Sequence, residues 1–352
     1  MSDTVLPLLT DLLRFPGLPG RESALSRRLE KEWGRWSHEL TFSRIGSLHA
    51  SRHGNGPEPR PTVMLTAHMD SIGFMVWQVV AGLLKVSGLG SVDPRPLPGQ
   101  AVVVHGSSDI PGLLVEPPQA CLPAREGQAV TALRELWVDL GLPARRVQRA
   151  VKPGDPVSFA QEHSLLTGDC LSGPGLDNRA SLVALTLCLQ ELARRAHDWD
   201  VVAVATVQEE EGLAGAGTSA FLVRPAMAIV VDVTFGRGPG SPEHLTFPLG
   251  EGPTNGWGPE VHPAIYARLK QTAQENGIPL TDEILPTRSG TEAATLQLAG
   301  GGVPTGIVSI PIRYMHTPVE VVHLSDIRHT GKLLAGFVAG LGPEALEDLV
   351  VE

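Results

Sequence analysis

The chain is poor in aromatic residues, cysteine and basic clusters, and it has no long apolar run. Phe, Trp and Tyr make up only 5% of its 352 residues, against 39 Gly and 30 Pro. Tight turns and short connections are therefore expected, and a helical bundle is not. The three cysteines, Cys121, Cys170 and Cys188, are odd in number and widely spaced; that argues against a disulfide framework and for free structural thiols in a reducing compartment. Lys and Arg number 28 against 38 Asp and Glu, a formal charge of -10, and no basic cluster is present. Phosphate neutralisation needs concentrated cations, so nucleic acid is not an expected partner. No stretch approaches the roughly 20 apolar residues of a membrane span, and Asp3, Asp11 and Arg14 stand where a signal peptide would be apolar. A cytoplasmic protein that engages no membrane is expected.

What is present is an ordinary globular composition, 42% hydrophobic and 19% charged, at a length that accommodates two domains. Val5, Leu8, Leu9 and Leu12 predict a helix over 4–14, and a charged helix follows over 22–36. Thr62-Val63-Met64-Leu65-Thr66 reads as a buried strand that ends at Ala67-His68-Met69-Asp70. From about 74 to 163 the texture changes to short β-like pieces, such as 83–86 and 101–104, separated by Gly and Pro, with one helix near 128–136. Helix and strand then alternate: a helix over 178–195, a strand over 201–207, a short helix near Gly217, a strand over 227–231, a helix over 263–276 and a strand over 306–310. A last helix follows Ser325 as N-cap. This order predicts an α/β sandwich of residues 1–73 and 164–352, interrupted by a β-rich insert over 74–163.

The residues capable of chemistry fall at predicted strand ends and helix starts, where open α/β sheets bind ligands: His68, Asp70, Asp177, Glu209, Glu210, Asp232 and His316. Each has an ordinary structural reading. His68 can be a hydrogen-bonded core histidine and Asp70 a turn residue; Asp177 can cap the helix behind it. Glu209-Glu210-Glu211 can be a solvated acidic run, Asp232 a turn and His316 a surface histidine. Together they form a set of two imidazoles and several carboxylates without a thiolate, which suits Zn²⁺, Co²⁺ or Mn²⁺ at a hydrolytic site. Two ions need a bridging carboxylate and further His, Asp or Glu ligands.

The same positions lie in stretches that carry a resemblance. Ala67-His68-Met69-Asp70-Ser71-Ile72-Gly73-Phe74, Gly175-Leu176-Asp177-Asn178-Arg179-Ala180, Val207-Gln208-Glu209-Glu210-Glu211-Gly212, Val231-Asp232-Val233-Thr234, Ser289-Gly290-Thr291-Glu292-Ala293 and Met315-His316-Thr317-Pro318-Val319-Glu320 follow one another in order. Within the insert Gly90-Ser91-Val92-Asp93-Pro94-Arg95 belongs to the same series. The chain resembles the aminopeptidases that include the glutamyl, deblocking and tetrahedral aminopeptidases. The resemblance implies a mixed-sheet α/β sandwich of the zinc exopeptidase type with a β-barrel-like insert. It implies two divalent ions, foremost Zn²⁺ with Co²⁺ or Mn²⁺ as alternatives. Asp177 bridges them, His68 and Asp232 complete one and Glu210 and His316 the other. Glu209 takes the general-base position and Asp70 orients His68.

The resemblance further implies a homo-oligomer, with a dimer as its unit formed through the insert and a dodecamer above it; the insert is expected to lie far from the ligands. Three departures stand out: Asn178 where the family commonly has Asp, Phe235-Gly236-Arg237-Gly238 after the Asp232 strand, and Glu211 where an apolar residue is frequent. Removal of N-terminal residues from peptides is the expected reaction. The alternatives are a metal-dependent deacylase or carboxypeptidase, for which Arg288 and Arg313 are the loop arginines available, and a non-catalytic assembly protein of the same fold.

Overall fold

The computed structural model describes residues 4–118 and 130–350. The apolar stripe Val5, Leu8, Leu9, Leu12 makes α1 (Val5–Leu12), and Leu25, Leu29 and Trp33 form the buried face of α2 (Ser23–Trp33). β1 (Glu39–Phe42), β2 (Leu48–Arg52) and β3 (Thr62–His68) follow. The chain then builds β4 (Gly73–Val80), β5 (Leu83–Leu89), β6 (Ala101–His105), β7 (Asp109–Val115), β8 (Trp137–Asp139), α3 (Ala144–Ala150) and β9 (Pro156–Phe159). After these come β10 (Ser164–Leu166), β11 (Cys170–Ser172), α4 (Leu176–Leu192), β12 (Asp200–Thr206), α5 (Glu209–Gly212), α6 (Ala214–Val223) and β13 (Met227–Phe235). The last stretch holds β14 (Thr254–Trp257), α7 (Pro263–Glu275), β15 (Thr281–Ile284), α8 (Ala293–Leu296), β16 (Thr305–Arg313), β17 (Val321–His323) and α9 (Leu324–Ala339).

The fold is mixed α/β. Its large mixed sheet runs β1-β2-β12-β3-β13-β16-β17-β11-β10, with β14 added against β16 and β15 against β14. Strands β12, β3, β13 and β16 are mutually parallel. Their continuous apolar runs are explained by burial on both faces, because side chains alternate across a strand. Val63, Leu65, Val201, Ala203, Ile229 and Val231 join the core beneath α1, α2, α4, α7 and α9. Met64, Val202, Val204, Ala228 and Val230 join a second core under α6 and α8. Helices thus cover both faces, as the sandwich reading requires.

Strands β4-β5-β8-β7-β6-β9 close into a barrel with its own core, in which Phe74, Val86, Val102, Leu114, Val138 and Val157 meet. Two local expectations change. The cap of α9 is His323 and not Ser325: its Nδ1 accepts the Ser325 N–H at 3.2 Å, so the helix starts two residues earlier and an imidazole nitrogen satisfies one of its free first-turn amides. Of the helix expected near 128–136 the described part is a single 3₁₀ turn, Leu133–Glu135, and its first positions lie outside the described residues, as does Cys121. Cys188 is a buried free thiol and Cys170 a half-buried one. No helix among the described residues is long and apolar enough to cross a membrane.

Candidate metal centre

Because β12, β3 and β13 are parallel, the residues after them emerge at one sheet edge. His68 at the end of β3 lies in register with Thr206 at the end of β12. Beyond β12 the backbone turns through Gln208 at φ +57, so that α5 begins with Glu209 and Glu210 beside His68. The left-handed Gly175 leads into α4, and Asp177 and Asn178 keep non-helical dihedrals before the regular helix begins. The Asp177-Asn178 peptide is cis. His316, in the loop after β16, has φ +63.

Asp177 occupies the centre. Its Oδ1 lies 3.1 Å from His68 Nε2 and its Oδ2 lies 3.4 Å from His316 Nε2. Asp232 Oδ1 is 3.6 Å from His68 Nε2, and Glu210 Oε2 is 3.9 Å from His316 Nε2. Two donor sets result, His68–Asp177–Asp232 and Asp177–Glu210–His316, each with its ligand atoms within 4.8 Å of one another. Glu209 belongs to neither, yet its Oε2 reaches within 3.9 Å of His68 Nε2. His68, Asp177 and Asp232 are buried, whereas Glu210 and His316 are partly open.

Such crowding of buried carboxylates is relieved by protons or by a bound cation. Asp177 Oδ1 and Glu210 Oε1 are buried and receive no hydrogen bond, a costly state unless something positive satisfies them. Burial raises the Asp177 carboxyl, but the flanking imidazoles of His316 and His68 outweigh it and hold it well below the usual range. Burial pushes Glu209 up to about 9, with Asp232, Glu292 and Glu210 adding to the rise against His68. Burial and the Asp177 charge raise Glu210 well above its ordinary value. The donor set is hard and borderline, without thiolate, and fits divalent ions.

The supporting contacts refine the sequence reading. His68 is oriented by the backbone of Asp70, whose carbonyl accepts from Nδ1 at 3.0 Å and leaves Nε2 free to coordinate. The Asp70 carboxylate instead accepts the N–H groups of Glu209 and Glu210, both at 3.0 Å. Asn178 Nδ2 donates to Asp232 Oδ1 at 3.0 Å, a bond that an ionised Asp could not make. Two acids were given no role from sequence. Glu320 is fully buried and accepts from the Asp177 and His316 amides. Glu292 is buried against Thr206, and burial pushes it up to about 7. Both acids lie in the stretches that carry the family resemblance, 289–293 and 315–320, and that was the signal available for them.

The barrel is close to this site, contrary to the expectation that the insert lies apart. Asp93 N–H donates to the His316 carbonyl at 3.1 Å, and Gly90 N–H donates to Glu211 Oε1 at 2.8 Å. The loop after β5 is therefore a wall of the site, and Glu211 is the tie to it. Sequence separation concealed this closeness.

Residues 46–333 match the model of the family described as M42 glutamyl aminopeptidase. The chain belongs to that family. It is similar to the lysyl aminopeptidase of Pyrococcus furiosus, 31% identical over 344 residues that span 96% of this chain and 97% of that protein. Among solved structures it is similar to an aminopeptidase from the archaeon Desulfurococcus kamchatkensis, with a TM-score of 0.90 at 29% identity over 98% of this chain and 97% of that one. It is also similar to the TET1 peptidase of Pyrococcus horikoshii, with a TM-score of 0.83 at 26% identity over 96% and 100%. That peptidase can assemble into a tetrahedron or a large octahedral shell. Membership in the M42 family makes the chain a peptide hydrolase of the aminopeptidase class.

Proposed function

We propose that this M42 protein is a two-metal aminopeptidase that removes N-terminal residues from peptides. The observation that carries the reading is Asp177: its two oxygens face two different histidines, the geometry of a bridging carboxylate. His68 and Asp232 would complete one ion, Glu210 and His316 the other, with Zn²⁺ the first choice and Co²⁺ or Mn²⁺ as alternatives. When bound, such ions acidify water and polarise the scissile carbonyl.

The chain's own groups then do the following. Glu209, beside but outside both donor sets, accepts a proton from the attacking water and delivers it to the leaving amine. Asp70 fixes the Glu209 and Glu210 backbone through two amide hydrogen bonds, so base and ligand keep their separation. Asn178 holds Asp232. A carboxypeptidase would need a free basic group for the substrate carboxylate. Arg313 donates from Nε to the Arg237 carbonyl at 2.6 Å and Arg288 is exposed; the preference for an α-amino group rests on the aminopeptidase family instead.

Residues 1–73 and 164–352 are proposed as the catalytic domain, and the barrel unit over 74–163 as the dimerisation domain of a homo-oligomer like the shells of the TET1 relative. The test is dialysis against a chelator followed by assay on a panel of aminoacyl chromogenic substrates. Hydrolysis should disappear and return with Zn²⁺ or Co²⁺. Full activity in exhaustively metal-free protein would end the two-metal reading.

A further inference from the structure

Two residues of the centre, Asp177 and His316, lie outside regular secondary structure. Asp177 precedes the helical part of α4 with ψ 105. His316 sits at φ +63, a left-handed conformation that a residue other than glycine keeps only when its surroundings impose it. Neither sits in a regular ladder: one bond of 3.4 Å from the Arg179 N–H to the Gly175 carbonyl spans Asp177, and His316 lies in a loop. A single side chain reaches both: Glu320 Oε2 accepts the Asp177 N–H at 3.2 Å, and Glu320 Oε1 accepts the His316 N–H at 3.1 Å. Glu320 is fully buried. Its own carbonyl accepts the Gly173 N–H at 2.9 Å, which continues the pairing of β11 with β17 by one step beyond Ser172 and Val321. The clamp is therefore anchored to the sheet.

We infer that Glu320 is a positioning residue of the metal centre: its carboxylate ties the backbones of Asp177 and His316 together and so sets the distance between the bridging group and the histidine of the Glu210 donor set. The inference rests on the two-metal reading above and extends it to a residue that contacts neither proposed ion. The arrangement repeats the device at Asp70, where one carboxylate also takes two backbone N–H groups, those of Glu209 and Glu210. The chemistry requires a carboxylate. Two converging N–H donors need two acceptor oxygens, and an amide offers one acceptor and turns its NH₂ toward the second donor.

The effect falls unequally on the two donor sets. His316 serves only the set containing Glu210. In the other set His68 is held by β3 and the Asp70 carbonyl, while Asp232 is held by Val233 N–H at 2.9 Å and by Asn178. Loss of the clamp should loosen the Glu210–His316 ion, which loses the hold on two of its ligands, more than the His68–Asp232 ion, which shares only Asp177.

The experiment is a titration of metal-free protein with Zn²⁺ against a chromogenic chelator, beside the melting temperature of the metal-free form, for wild type, Glu320→Gln and Glu320→Asp. Wild type should bind two ions. Glu320→Gln should bind one ion with a smaller loss and the second about 10- to 100-fold more weakly, the usual cost of removing a group that orients a ligand. Glu320→Asp, which keeps both acceptor oxygens on a shorter stem, should weaken the second ion less. The metal-free melting temperature of Glu320→Gln should fall somewhat, because one buried N–H then faces an NH₂ donor, so the unequal weakening of the two ions carries the test. Two ions bound at wild-type affinity by Glu320→Gln would overturn the inference. So would equal weakening of both ions, the mark of a merely structural residue. If Glu320→Gln does not fold, the same comparison is made on Glu320→Asp, where unaltered affinity for the second ion overturns it. A wild type that binds no second ion would instead refute the two-metal reading.

Discussion

Glu209 and Glu210 are sequence neighbours whose backbones share one clamp and whose side chains diverge, one toward His68 and the other toward His316. Glu209→Gln should keep both ions while kcat falls by about 10²- to 10⁴-fold, the range of general-base assistance. Glu210→Gln should lose an ion as well. Metal content measured beside kcat on both variants decides the assignment; near-normal kcat in Glu209→Gln with two ions bound would move the base elsewhere. The buried acids also make the metal-free protein sensitive to pH. A carboxyl with a raised folded pKa binds its proton more tightly when folded, so its contribution is complete below the ordinary 4.5 and is lost as pH rises through the raised value. Burial places Glu292 at about 7, Glu320 at about 8 and Glu209 at about 9. Asp177, held low, acts in the opposite sense only below its ordinary 3.8. Burial lowers His49, His163 and His197, which act the other way below their ordinary 6.5, so the melting temperature of the metal-free form should fall between about pH 7 and 9, and Zn²⁺ should flatten the decline. A level metal-free profile would contradict this account.

At the scale of elements, the short α5 is squeezed between strand β12 and the barrel loop. Gly90, at φ +74, passes so near that an added Cβ would meet Glu210 Oε2 at 2.7 Å and Ile72 Cγ2 at 2.8 Å. Its N–H holds Glu211. Gly90→Ala should therefore displace Glu210 as well as strain the turn, at a backbone cost of about 1–2 kcal/mol. Weaker binding of one ion and at least a tenfold loss of kcat/KM are expected; metal titration and steady-state assay at saturating Zn²⁺ would check both. Unaltered metal affinity would show that the loop yields without moving the ligand.

For the whole molecule, a barrel with its own core, attached at the rim of the sheet, offers a surface for a symmetric contact between copies. Light scattering at micromolar concentration should give the mass of a dimer or a multiple of it. A monomer under those conditions would count against the proposed role of residues 74–163. The same barrel supplies the Asp93 and Gly90 contacts to His316 and Glu211, so the association proposed for it would share a structural element with the site.

The sequence by itself determined the kind of fold and the kind of chemistry. The short apolar runs 62–66, 201–207 and 227–231, bounded by turn residues, read as buried strands, and the polar residues at their ends were already His68, the Glu209–Glu211 run and Asp232. The order of the motifs carried the family. The alternation also located α4, α7 and β16 to within a few residues. What needed the tertiary structure was every relation between segments distant in the chain. The clamp of Glu320 on Asp177, the hold of Asn178 on Asp232 and the nearness of the barrel loop all depend on hydrogen bonds between segments far apart in the chain. Periodicity reports which face of an element is buried. It carries no record of which distant backbone amide a buried carboxylate will meet, because that is decided only when the strands stand side by side.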